Sequence, residues 1–504
     1  MSTLLAILLS FLSIDTANSI AVNTTSVLFA PVTSALSTIT NPITARNDST
    51  STCKDIDTCR TLYSIVQTCL ATIFACVWVA VHRNIPAPKP VPDPSLKLGP
   101  VAKIARWLWS KIRSLRQPVI VFSVTLLAPE WVLAWAVRQR FRAQKLAKEL
   151  EKARAQATAR WAKDHPESAE DRGTGVSGRG SSENLIEKGS SATDEPSHPP
   201  HTEKECAWYS AMIVAKLNQV WTTAHAFFAI MGGFQAYDKN GPLYPLRPGR
   251  VVELVGDGKL VPPSDDELSN QSNGDVLSKG VAVLQTVWFV AQCLARLAEH
   301  LPLTNLEVTT LAYTIMTIAM YIAWWDKPLN ISCAIRVPGT PIAGEATHRA
   351  FLKTSVSYIS GAQDQTVDLD YMQGVPTFWA GKAEDNTEVI TADIIALLVA
   401  MAFGAVHCLA WTYTFPSPAE LFMWRASAIA IIAVPAGLLI GLAFLLGDRD
   451  STAGALILVL LSFIGTPVYI CARAILLVLS FTTLKSLSYQ VFQTVQWTNF
   501  IPHI

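Results

Sequence analysis

Residues 424–446 read WRASAIAIIAVPAGLLIGLAFLL, and after Arg425 the stretch carries no charge. A helix rises about 1.5 Å per residue, so roughly 20 such residues cross the hydrocarbon core of a bilayer. Working outward, five more long apolar runs appear: Tyr63–Val81, Leu277–Leu297, Asn305–Trp325, Ile394–Phe415 and Ala453–Phe481. Trp324, Trp325, Trp411 and Trp424 fall at their ends, where interfacial indoles sit. The predicted fold class is all-α: a polytopic transmembrane helix bundle of six spans, or up to eight if two further segments cross.

Composition agrees. Only 16% of the 504 residues are charged, against about 25% in an ordinary soluble chain. With 40 Lys and Arg against 39 Asp and Glu, nothing suits the chain to neutralising phosphates, which argues against a nucleic-acid partner. Nine cysteines without a CxxC pair or a Cys/His cluster make neither a disulfide scaffold nor a zinc site. No cofactor motif appears, so no cofactor, metal or catalytic residue is expected, and the first partner is the lipid bilayer.

Residues 1–19 read as a signal peptide, apolar from Leu4 to Ile14 with small residues Ala17-Asn18-Ser19 at its end. Its start lacks Lys and Arg, so a short signal anchor is the alternative. Residues 20–60 form an extracytoplasmic lead. Its sequons at Asn23 and Asn47 are expected to carry glycans, and Asn270 and Asn330 are not. Cys53 and Cys59 lie in the same lead with five residues between them, and a local disulfide is expected.

The span at 61–81 is followed by a basic loop, 82–117, with eight Lys and Arg against the single acid Asp93. The positive-inside rule makes that loop cytosolic and puts the N-terminus outside. Residues 118–137, PVIVFSVTLLAPEWVLAWAV, have positive charge on both flanks and Pro129-Glu130 in the middle. Both flanks then face the cytosol, which reads as a re-entrant or tilted segment, continuing as a charged helix over 138–163. Residues 164–206 lack large apolar side chains and read as a disordered cytosolic insert. Ile213, Leu217, Trp221, Phe228 and Met231 share one helical face, so 207–234 reads as an amphipathic helix on the membrane or against the bundle. Residues 235–276 read as a surface loop, 277–325 as a transmembrane hairpin, 326–393 as a loop, 394–481 as three spans and 482–504 as an extracytoplasmic tail.

The segments CRTLYSIVQTCLATIFACVWVAVHRNIP (59–86), LLAPEWVLAWAVRQR (126–140), WTTAHAFFAIMGGF (221–234), LQTVWFVAQCLAR (284–296), WWDKPLNI (324–331) and WTNFIPHI (497–504) occur in that order. Together they resemble a family of uncharacterised multi-pass membrane proteins of filamentous fungi. The resemblance implies topology and origin, and it brings no catalytic residue.

A few polar residues inside apolar runs are the candidate sites. Glu130 is either a carboxylate at bilayer depth, costly unless paired, or a headgroup-level acid. Arg473 lies in the last span and either meets a partner or snorkels. We expect it to turn inward at the Gly465/Pro467 kink, toward Glu130. His225 and His407 stand alone and read as hydrogen-bonded core histidines. Gln285 and Gln292 belong to a polar stripe that faces one on 307–321 across the hairpin, either as packing or as the lining of a wet groove. Two rows of small residues, Ala396/Ala400/Gly404/Cys408 and Ala433/Gly437/Gly441, predict that the fourth and fifth spans pack on each other.

Function follows in three classes. The first is a membrane organiser or sensor whose cytosolic segments, 138–163 and 326–393, recruit protein partners. The alternative is a small-solute transporter or channel, and a membrane-embedded enzyme comes third. The expected location is the secretory pathway, ending in the plasma membrane.

Overall fold

The computed structural model describes residues 59–88, 99–164, 219–272, 275–342, 363–383, 385–447 and 452–497. The signal peptide, Asn23, Asn47, Cys53 and the insert at 165–206 lie outside the described residues. Six helices are long and apolar enough to cross a membrane: Leu62–Val79, Lys279–Ala298, Asn305–Ala323, Asn386–Ala410, Pro418–Gly447 and Thr452–Lys485. In chain order, α1 is Leu62–Phe74, extended by a π turn at Ala75–Val79. Helices α2 (Pro100–Leu127) and α3 (Pro129–Asp164) follow.

Helices α2 and α3 form a sharply bent pair over the segment expected to be re-entrant. Pro129 has no N–H to continue α2, so the chain breaks at Ala128 and the two axes bend by 109°. Pro118, Val121 and Phe122 on the first arm line a pocket with Val77, Val81 and Arg83, at the exit of α1. On the second arm, Arg140 donates to the carbonyl of Ile322 (2.7 Å), at the end of a later span. Both arms therefore touch the same end of the bundle, where α1 and the Asn305–Ala323 span finish. α2 begins at Pro100, well inside the expected loop, and its first half exposes Ile104, Trp107, Leu108, Trp109 and Ile112.

At that end sits a small module that the reading from composition missed. The fold is not all-α. After α4 (Thr223–Ile230), β1 (Phe234–Asp238) and β2 (Gly241–Pro245) form an antiparallel hairpin, and β3 (Ile335–Pro338) pairs parallel to β1, giving the order β2-β1-β3. Helices α5 (Pro248–Gly256) and α6 (Asp265–Gln271) fill the rest of the expected loop. Of the amphipathic helix expected over 207–234, residues 207–218 lie outside the described residues. Only α4 is helical among its described residues, and His225 through Ile230 are all buried. It stops at Gly232 and Gly233. Gly232 takes φ +94°, and a Cβ on Gly233 would lie 2.4 Å from the Phe228 ring. The buried stripe of α3 (Ala143, Leu146, Leu150, Ala153) joins the same core as α4 and α5, so 138–163 is an internal strut rather than a free recruitment helix.

The remaining spans are α7 (Asp275–Ala298), α8 (Asn305–Ala323), α10 (Asn386–His407), α11 (Pro418–Gly447), and a last span broken into α12 (Thr452–Leu460), a π turn at Leu461–Gly465 and α13 (Thr466–Thr482). A short helix, α9 (Gln363–Thr366), precedes α10, which starts eight residues earlier than expected and so takes Asp393 out of the loop. The small-residue rows divide their work. A Cβ on Gly404 would meet Ile432 at 2.6 Å, which confirms close packing of α10 on α11. Gly437 and Gly441 face Leu461 and Ile457 instead, so the second row admits the last span.

Candidate functional site

The break at Ala128 leaves two helix ends inside the bundle. The C-terminus of α2 presents unpaired carbonyls and a partial negative charge, and the N-terminus of α3 a partial positive charge. Arg473 answers the first. Its Nη2 donates to the Leu126 carbonyl (3.2 Å) and to the Tyr313 hydroxyl (3.4 Å), and the guanidinium lies over the Phe403 ring at 3.8 Å. The Tyr313 hydroxyl donates to the same carbonyl. Glu130 sits in the first turn of α3 and answers the second. Arg473 is thus buried beside the break. Among the described residues, however, it forms no salt bridge with Glu130. Each charge meets a half-helix dipole.

Glu130 is only 2% exposed, yet neither of its carboxylate oxygens has a hydrogen-bond partner. The Arg473 guanidinium and the Tyr469 hydroxyl both act on it electrostatically, but neither stands within hydrogen-bonding geometry of its oxygens. Buried carboxylates are ordinarily paired or hydrogen-bonded. What Glu130 faces is a cavity of about 410 Å³. One wall is α3, with Trp131, Ala134 and Arg138. α10 supplies Asn386, Asp393, Ala396 and Leu397, and Leu438, Leu442 and Leu458 close the apolar side. Asp364 and Gln365 of α9 lie at the module end. Three acids therefore line the space, against one guanidinium.

Arg138 lies 3.7 Å from Asp364, whose other oxygen accepts the Ala380 N–H at 2.8 Å. Burial outweighs both contacts and pushes the Asp364 carboxyl up from 3.8 to about 6. Between those values the folded chain holds a proton that the unfolded chain has lost, so this group lowers stability as pH rises through the window. Asp364→Asn should remove that contribution. The fall in unfolding midpoint from pH 4.5 to 6.5 is expected to be smaller, or reversed, in the variant, and matching profiles would clear Asp364 of the effect.

Residues 209–393 match a family of unknown function (DUF8562). No curated protein and no solved structure matches the chain. The DUF8562 segment contains the sheet, α7, α8 and the cavity's Asp364 and Asp393, whereas Glu130, Arg138 and the leucine wall on α11 and α12 lie outside it.

The other candidates are structural or lie elsewhere. His225 caps α4: its Nδ1 accepts from the Thr222 N–H (3.1 Å) and its Nε2 meets the Pro263 carbonyl (2.9 Å). His407 has Nδ1 3.0 Å from the Phe403 carbonyl and packs against Trp424. Gln285 donates to Thr72 (3.2 Å), and Thr310, Thr314 and Thr317 bond back to their own helix, so the hairpin stripes serve mainly as packing. Gln292 lines a separate cavity of about 330 Å³ at the far end, beside the buried ion pair of Arg60 and Glu307. There Arg296 holds the C-terminal tail by donating to the carbonyls of Val491 and Gln493. Cys59 is disulfide-bonded, and its expected partner Cys53 lies outside the described residues.

Sequence reasoning also passed over Lys327. It is 1% exposed, and its Nζ donates to the His82 carbonyl (2.5 Å) and to Gln139 Oε1 (2.7 Å). It stands 4.8 Å from the ring centres of both Trp135 and Trp324. Burial pulls its amine well below the ordinary lysine value, and the two carbonyls and two indole faces oppose that pull. Only the quoted run WWDKPLNI hinted at it.

Proposed function

We propose that the protein is an integral membrane sensor that holds a small ligand in the cavity at the tip of the re-entrant hairpin. The observation that carries this reading is Glu130, buried, without a hydrogen bond to either oxygen and facing a cavity of about 410 Å³. That volume lies within the range of ordinary ligand pockets, about 300–1,000 Å³. Beside the break, Arg473, Tyr313 and Phe403 pack on one another, which favours sensing over permeation. The strut α3 runs without a break from Glu130 to the module, roughly 50 Å at about 1.5 Å per residue. A shift at the tip is thereby delivered to α4 and α5.

By the positive-inside rule the module faces the cytosol, where it would meet protein partners, and both chain ends face the exterior of a secretory-pathway or plasma membrane. Membership of the filamentous-fungal family belongs to the same reading.

The test is a cryo-EM map of the protein in lipid nanodiscs, alongside Ala396→Trp. Density next to Glu130 is expected in the first map and none in the second. A cavity closed wall to wall, with Glu130 paired to a neighbour, would remove the sensor reading.

A further inference from the structure

The cavity's lining specifies a chemistry for its occupant, and the inference rests on the ligand-binding reading above. Its polarity is divided. Glu130, Asp364 and Asp393 enter from α3, α9 and the start of α10, and Leu438, Leu442 and Leu458 face them from α11 and α12. The one guanidinium, Arg138, already stands at Asp364. Glu130 and Asp393 form no salt bridge among the described residues, and Glu130 has no hydrogen bond either. An anionic ligand would add charge to a site that already carries uncompensated acid. A neutral one would leave both carboxylates as they are, at the cost of burying them.

A metal ion is a poor answer. Among the described residues no group of three His, Cys, Asp or Glu is placed to hold one. The leucine wall offers no donor. A compact cation would also leave that wall unfilled. An occupant with charge at one end and hydrocarbon along its length satisfies both sides at once.

We infer that the cavity binds a single-chain organic cation, with an ammonium head answering Glu130 and Asp393 and an alkyl chain lying on Leu438, Leu442 and Leu458. Such a ligand partitions into the membrane and reaches the cleft from its module end. Its head then breaks no hydrogen bond at Glu130, whose two oxygens have none, and it adds a direct counter-charge to the more distant ones at Arg473 and Arg138.

The experiment uses the full-length protein in phosphatidylcholine nanodiscs and three probes of equal chain length: decylamine, decanol and decanoate. Binding is read as a saturable rise in unfolding midpoint and as adduct mass in native mass spectrometry. Decylamine is expected to bind at least about tenfold more tightly than the other two. Glu130→Gln and Asp393→Asn should each weaken the amine by about tenfold and leave decanol unchanged. Two variants are named so that one failing to fold leaves the other to decide. Ala396→Trp should abolish saturable binding of all three. Equal binding of decanol or decanoate, itself lost in Ala396→Trp, would overturn the cationic class while keeping the cavity as a ligand site. Amine binding indifferent to both acid substitutions would overturn the inference as well. No saturable probe, together with an empty cavity in the cryo-EM map, would sink the sensor reading too.

Discussion

Gln139→Leu is expected to cost about 3 kcal/mol, the upper end of the scale for leaving buried hydrogen-bonding groups without their partners. The whole side chain is committed. Its Oε1 accepts from Lys327 Nζ (2.7 Å) and Trp324 Nε1 (3.0 Å), and its Nε2 donates to Asn84 Oδ1 (3.0 Å) and the Trp379 carbonyl (2.9 Å). Leucine matches the volume roughly but supplies none of these bonds, so Lys327 would keep a single carbonyl in a dry site. Lys327→Met should cost much less. It takes the charge away with its bonds, Gln139 Oε1 keeps Trp324, and methionine still packs between the indoles of Trp135 and Trp324. Denaturant unfolding in detergent reads both variants. A larger loss in Lys327→Met than in Gln139→Leu would mean that the cation itself, held by the indole faces, carries the junction.

That junction marks the limit of what was legible. Spans could be read because each is a local property, a run of apolar residues of sufficient length. Pro129 in the middle of 118–137 marked the place where the chain bends by 109° between α2 and α3. The sheet was not legible, because β1 and β3 are separated by nearly a hundred residues of chain containing two spans, and neither strand alternates strongly. Gly233 needed tertiary information as well: only the Phe228 ring beside it explains why α4 stops there. The cavity was half legible. Glu130 stood out as a charge in an apolar run. Asp393 was assigned to a loop, because acids and threonines at the start of α10 look polar until the cleft that they line is seen.

Arg473 and Glu130 separate two accounts of the buried charges. If they formed an ion pair, removing either would leave the other buried and unanswered, and each single substitution would cost about 3–5 kcal/mol. The observed contacts predict an asymmetry instead. Arg473→Met should cost about 2–3 kcal/mol, because it removes a charged hydrogen bond to the α2 carbonyl end and the stacking on Phe403. Glu130→Gln should fall within about 1 kcal/mol of zero. Its oxygens have no hydrogen bonds to lose, and giving up a favourable place at a helix N-terminus, worth up to about 2 kcal/mol when buried, is offset by no longer burying an acid. The double variant should then differ little from Arg473→Met alone. Unfolding midpoints of the four proteins in detergent decide the matter. Two large single losses that fail to add would restore the direct pair, and would also leave Glu130 unavailable to a ligand.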